Sequence, residues 1–373
     1  MLHFSALPIQ LFEDAWGGAQ KALQCPSHPV YMIGDPSQWH ISQLPDSLQP
    51  QLHEWDPFRL QEATCLLASL ALVTRSTQKG SPVLSMHPLA QAWAKERQNP
   101  IQQGQAWICT GSVLALSVYR YTVWRPCYPQ LRAHLQAFLD VDTAGMVLSG
   151  SVRFRMEILF QCGWILHRTG DDLRLARLLQ HICSQLEVDM FSPSMELSPL
   201  YHLFNITLFN LRKFGEGIQL LERMYDIKTA TLADDDPDRL RIQHQLAVAY
   251  RYNRDIEQRL RHLEHAIEAR ATLAEDNPDR LSSQQLLARA YIAIGQVEKA
   301  VQLLEHVVKI RDTTLAEDDQ ARLASQHKLA VAYMENGQIE EAVQLQKHAV
   351  KIDATLAEDH PFRSRRLFSA WFL

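Results

Sequence analysis

The sequence predicts a mainly α-helical protein, in which a solenoid of stacked helical hairpins follows a smaller amino-terminal unit. Three observations predict it. A motif of about 41 residues recurs in the carboxyl half, each copy carries two apolar-periodic stretches around a short turn, and residues 56–98 read helix, strand, turn, strand, helix.

The opening "MLHFSALPIQLFEDAW" has no basic region and turns acidic, which argues against a secretory signal. "DPFRLQEATCLLASLALVTR" (56–75) then predicts a helix with apolar spacing at Leu66, Leu67, Leu70 and Leu72, running into a short β-prone stretch. "STQKGS" makes a turn, "PVLSMH" returns as a second strand and "PLAQAWAKERQ" is helical, the outline of a winged helix. Its would-be recognition helix carries one arginine and much leucine, a composition suited to burial and not to a DNA groove. Residues 1–98 are expected to form this winged-helix-like domain, 99–190 a helical connector merging into the first hairpin, and 191–373 the solenoid.

Two weaker hairpins are expected at about 152–187 ("FQCGWILHRTGDDLRLARLLQHI") and 196–228 ("YHLFNITLFNLRKFGEGIQLLERMYDIK"). The strong copies come next. "LADDDPDRLRIQHQLAVAY" from Leu232 returns as "LAEDNPDRLSSQQLLARAY" from Leu273 and "LAEDDQARLASQHKLAVAY" from Leu315, and "LAEDHPFR" begins again at Leu356, at spacings of 41, 42 and 41 residues. Asp236-Pro237 and Asn277-Pro278 supply an N-cap followed by a proline whose missing N–H costs nothing at the first helical position. Gly295 and Gly337 stand where the chain must reverse, because glycine accepts positive φ; Arg254 takes that place in the first copy and predicts a wider hairpin there. The final "LFSAWFL" is apolar, so either another surface covers it or the natural array is longer.

The formal charge of −5, without a basic block, argues against nucleic acid as a partner. No apolar run reaches the roughly 18 residues of a membrane span, so a cytoplasmic location is the default expectation. Six cysteines at 25, 65, 109, 127, 162 and 183 include no C-x-x-C pair and read as reduced thiols. His262 and His265 share one helix three apart, yet His265, His306 and His348 are repeat-equivalent, which favours packing or a solvated ridge over a metal site. The "DDDPD" run and its copies precede helices, where capping explains them. Nothing nominates a nucleophile, and no catalytic residue, cofactor or metal is expected.

The alanines and aromatics spaced around the glycines (Ala330, Tyr333, Ala342 and Ala349 about Gly337; Ala288, Tyr291, Ala300 and Val307 about Gly295) resemble the tetratricopeptide repeat in its longer, kinesin-light-chain-like form. Leu84-Ser85-Met86-His87-Pro88-Leu89, after a helix and a hairpin, resembles the Met-His-Asp motif in the winged-helix subdomain of NLR-type STAND ATPases. With "QGQAWICTGSVLALS" and the repeats that follow, the chain is similar to the fungal NB-ARC plus tetratricopeptide branch. The resemblance implies that His87 descends from a residue touching the β-phosphate of ADP. Pro88 replaces the motif's Asp, and no G-x-x-x-x-G-K-[ST] occurs to cradle a nucleotide's phosphates. The expectation is a surviving edge of a switch whose catalytic part lies upstream or was lost, with His87 serving as an ordinary helix-entry residue.

In tetratricopeptide arrays the first helix of each hairpin lines a concave groove. Carried over residue by residue, the groove positions are Arg241, His244, Arg251 and Tyr252 in the first copy, Ser282, Gln285, Arg289 and Ile292 in the second, and His327, Met334 and Glu335 in the third. The arginines suit an acidic peptide through forked hydrogen bonds, and Ile292 with Met334 adds an apolar patch. The resemblance thus implies a non-catalytic interaction scaffold that binds a protein or peptide, related to fungal NLR-like immune or self-recognition proteins. Two alternatives stay open: part of a nucleotide-dependent STAND switch whose P-loop lies outside this chain, and a standalone kinesin-light-chain-like adaptor.

Overall fold

A computed structural model describes residues 2–3, 6–24, 33–50, 55–78, 80–119, 128–233, 236–253 and 256–355. The chain divides into two compact units, Met1–Lys213 and Phe214–Leu373. The fourth repeat start at Leu356, the apolar end at Leu367 to Leu373, Arg254, Cys25 and Cys127 lie outside the described residues.

In the first unit, strand β1 (Leu7–Pro8) and helices α1 (Gln10–Gln24) and α2 (Gln38–Ser42) precede α3 (Pro57–Ser69), β2 (Val73–Gln78), β3 (Ser81–Met86) and α4 (Pro88–Glu96). The expected helix–hairpin–helix order is present, with Val73 paired to Met86 and Gln78 to Ser81. Gly80, at φ 81°, turns the hairpin, and β1 adds to the outer edge of β3, giving the order β1-β3-β2. The burial expected of α3 is not found. Phe58, Leu66 and Leu70 are exposed by 60% or more, and Thr64 is the buried residue of this helix. The apolar spacing correctly marked a helix, but periodicity cannot say whether a partner element is there to cover the apolar stripe.

The unit's core forms around α5 (Pro100–Val118), which packs against α1 and against α7 (Val152–Arg168); α6 (Tyr128–Leu139) lies between α5 and α7 in sequence. Asn99 caps α5 by accepting from the Gln102 N–H while Gln102 Oε1 accepts from the Asn99 N–H, a reciprocal capping box. The crossing of α1 and α5 is close because Gly18 meets the Leu116 carbonyl, where a Cβ would have no room. Helix α7 and α8 (Asp172–Gln185) pair around Gly170 at φ 73°, so the expected hairpin at 152–187 is present. Of the second weaker hairpin, both helices are present as α9 (Ser198–Asn210) and α10 (Phe214–Thr231), and the division between units falls between them.

The second unit continues with α11 (Pro237–Asn253), α12 (Ile256–Ala269), α13 (Pro278–Ala293), α14 (Val297–Thr314), α15 (Gln320–Glu335) and α16 (Ile339–Thr355), each packed on the next. These are the successive antiparallel hairpins read from the repeats. Asp236, Asn277 and Asp319 cap α11, α13 and α15 by accepting two backbone N–H groups each, at 2.7–3.3 Å. Seven residues after each repeat's first leucine, an arginine reaches back to that leucine's carbonyl: Arg239 to Leu232, Arg280 to Leu273 and Arg322 to Leu315. Gly295 and Gly337 adopt φ of 78° and 79°, ending α13 and α15 as their placement predicted.

Small residues fill the helix crossings. Ala247, Ala288 and Ala330 are repeat-equivalent and at most 1% exposed, as are Ala266 and Val307 at another position of the motif. The tyrosine of each first helix donates to a glutamate of the preceding helix: Tyr250 to Glu222, Tyr291 to Glu264 and Tyr333 to Glu305. The motif therefore encodes contacts within each hairpin and also with its neighbour.

Two outcomes follow for stability. Ala288→Leu would force extra methylenes into a filled crossing and should lower unfolding free energy by about 1–3 kcal/mol in a denaturant titration. Asp319→Ala should cost about 0.5–2 kcal/mol by orphaning the first N–H groups of α15.

Candidate functional site

In the second unit, α11 packs directly on α13 and α13 on α15, so the first helices of three hairpins stand side by side as one wall. A shared motif position then places His244, Gln285 and His327 along that wall. The adjoining position carries Gln245, Leu286 and Lys328.

The expected groove residues distribute along the three helices. Arg241 is exposed and donates to Asp238 one turn earlier at 2.6 Å, while Tyr252 stacks on Phe214 with centroids 4.6 Å apart. The side chain of Arg251 lies outside the described residues. On α13, Gln285 is buried at 3% exposure, Ser282 and Ile292 are half-buried and Arg289 is exposed. On α15, Met334 is half-buried and Glu335 exposed; the His327 Nδ1 lies 3.1 Å from Gln346 Nε2 of α16. Ile292 packs with the seam around Ala288 and Leu304, so the apolar patch expected of it with Met334 is partly given over to the core.

Lys328 stands out among the residues that sequence reasoning passed over. Its ammonium donates to Gln285 Oε1 at 2.6 Å, bridging α15 to α13. Burial, then the neighbouring guanidinium groups of Arg311 and Arg289, push its pKa down to about 8. His244 on α11 is likewise held below its ordinary value, first by burial and then by Arg270, with Asp279 opposing and Lys328 adding to the depression. The available signal was a lysine in the third copy where its siblings have Gln245 and Leu286. A substitution inside a repeat reads as noise until the fold shows that it faces Gln285.

Two buried arginines tie helices together. Arg270, in the turn after α12, donates to the Leu240 carbonyl of its own hairpin and to Ser283 Oγ of α13, and Arg311 of α14 donates to the Ala321 carbonyl of α15. His262 stacks on Tyr250 and meets Tyr225 edge-on, and the His265 Nδ1 lies 2.8 Å from Gln243 Nε2. Packing therefore accounts for the paired histidines.

In the first unit His87 is the N-cap of α4. Its Nδ1 accepts the Leu89 N–H at 3.2 Å, its backbone N–H donates to the Leu72 carbonyl, and the side chain is exposed. Burial raises the Cys162 and Cys183 thiols, the latter to about 11, which leaves both as unreactive thiols at neutral pH. No described helix is long and apolar enough to cross a membrane.

Comparison with known proteins bears on the repeats. A tetratricopeptide repeat family model matches residues 280–321 and 322–362. Kinesin light chain nearly identical TPR-like repeats of Podosopora anserina are 34% identical, covering 55% of this chain and 98% of that one at a TM-score of 0.48. BtubC (BKLC) from P. vanneervenii is 16% identical over 56% of this chain and 84% of its own, at 0.47. MamA (41-end) from Desulfovibrio magneticus RS-1 is 14% identical over 55% and 98%, at 0.40. No curated protein matches. The cap at Asp319, the crossings at Ala288 and Ala330 and the turns at Gly295 and Gly337 lie within the matched residues, and the chain belongs to the tetratricopeptide-repeat proteins.

Proposed function

We propose that the chain is a non-catalytic interaction scaffold that captures a protein or peptide along the first-helix wall of its repeats, which forms the concave side of the array. The observation that carries this reading is the direct packing of α11, α13 and α15 into one continuous surface bearing Arg241, His244, Arg289 and Lys328. A preformed surface of this kind binds an extended segment without the cost of ordering itself. Its cationic character favours an acidic segment, since guanidinium groups engage carboxylates through paired hydrogen bonds. The residues 1–98 are read as a winged-helix-like domain related to fungal NLR-like proteins, with His87 a remnant of nucleotide contact now used to cap α4. A cytoplasmic location accords with this reading.

A second reading, part of a nucleotide-dependent STAND switch, draws support from the ordered helix and hairpin that lead to Met86-His87 and the helix that follows it. A third, a kinesin-light-chain-like adaptor, draws support from the repeat spacings of 41 and 42 residues, the longer form of the motif.

Arg241→Glu combined with Arg289→Glu should weaken capture of an acidic peptide at least tenfold while changing the melting temperature little, because both side chains are exposed. Unchanged affinity would remove the groove as the binding face. ADP should leave the melting temperature of the chain unaltered; a concentration-dependent rise would favour the switch reading instead, since a ligand of the folded state raises its stability.

A further inference from the structure

The small sheet of the first unit is packed on one face and open on the other. Leu84 of β3 stands opposite Leu7 of β1, and Met86 opposite Val73 of β2. Paired residues and alternate residues of a strand point to the same side of a sheet, so these four side chains share one face. Val83, which points the other way, is fully buried. Leu7, Leu84 and Met86 are only half-buried, because against them, with Leu67 of α3, lies a cavity of about 360 Å³. A packed core leaves few voids larger than a water molecule, and this one falls within the range of about 300–1,000 Å³ that small-ligand sites occupy.

Helix α4 closes the cavity with its polar side. Gln91, Ala94 and Lys95, spaced three and four residues apart and therefore on one helix face, line it together with Gln98 just past the helix end. The apolar Leu89 and Trp93 line no part of it and are 74% and 56% exposed. A helix laid on an apolar sheet ordinarily turns its apolar stripe inward, yet no residue of α4 is buried. Polar bonds hold the helix in place: the His87 N–H donates to the Leu72 carbonyl and Gln91 Nε2 to the Leu2 carbonyl. Arg97 lies over the Trp93 ring at 4.7 Å, and neither residue lines the cavity. The cavity thus has an apolar floor and a polar roof.

A floor and roof of this kind match the two halves of an amphipathic molecule. No acidic residue lines the cavity, and Lys95 makes no ion pair among the described residues. We infer that the cavity binds a free medium-chain carboxylic acid, its acyl chain laid on Leu7, Leu67, Leu84 and Met86 and its carboxylate at Lys95 and the Gln98 amide. Removing the chain and the half-buried floor from water drives binding, and the ammonium fixes which end enters last. The single cation and the volume suit one chain with one carboxylate and not a two-chain phospholipid. The site lies apart from the repeat wall, and its existence is independent of the scaffold reading.

The test titrates the full chain with decanoate below its micelle concentration, with decanol, and with phosphatidylglycerol vesicles, read by calorimetry and melting temperature. The wild type should bind decanoate saturably at one per chain, raise its melting temperature with decanoate concentration, and take decanol more weakly. Lys95→Met, at an exposed position, should lower decanoate affinity by about fivefold, the loss of one charged hydrogen-bonded contact, while leaving decanol affinity unchanged. Ala106→Phe, which puts a ring into the cavity from α5, should abolish binding of both and hold or raise the melting temperature of the free chain; Lys95→Met carries the test if that chain does not fold. Absence of saturable decanoate binding would overturn the site. Equal affinity for decanol and decanoate in the wild type, or a Lys95→Met chain that binds decanoate normally, would remove the carboxylate ligand. Normal binding by a folded Ala106→Phe chain would remove the cavity as its place, and a response to vesicles alone would replace the site with adsorption at a lipid surface.

Discussion

Close helix approach at small side chains is the constraint on which the rest of the molecule depends. In the second unit Ala247, Ala288 and Ala330 occupy one motif position at the crossings, each essentially inaccessible to solvent. Where the larger Leu304 and Val308 intervene, they fill the seam between those crossings. A bulkier residue at the alanine positions would part the helices and with them the tyrosine–glutamate bridges that join hairpin to hairpin. The first unit meets the same demand with Gly18 on the Leu116 carbonyl and Gly111 beside Ile158 and Phe138.

Given that spacing, polar residues set register and do little bulk stabilisation. Each repeat loop is closed by an Asp or Asn cap and by an arginine returning to the leucine that began the copy. These bonds satisfy backbone groups that a helix terminus would otherwise leave without partners. Arg270, through Ser283, and Arg311, through the Ala321 carbonyl, go further and span from one hairpin to the next. Lys328 departs from that pattern. Its ammonium donates to Gln285 Oε1 of another first helix, where burial and the guanidinium groups of Arg311 and Arg289 push its pKa down to about 8.

The exposed apolar residues of α3 contrast with the closed seams of the repeats. Phe58, Leu66 and Leu70 stay largely open to solvent, on a helix whose sequence alone looked like core. A period of apolar residues specifies a helix face, and burial of that face needs a second element.

The repeat period, the caps before each first helix, the glycine turns and the small residues at the crossings were all legible in the chain, because each is a local rule about backbone geometry written into residue type. The helix–hairpin–helix order of residues 57–96 was legible for the same reason. For the candidate site, the sequence named the wall and its arginines, since equivalent positions of a repeat face the same way. Which of them are paired, as Arg241 is with Asp238, and which are buried, as Gln285 is, waited on tertiary structure. So did the meeting of Lys328 with Gln285, residues 43 apart. Side-chain burial and charge environment are properties of neighbours that only packing brings together, and no periodicity along a single chain encodes them.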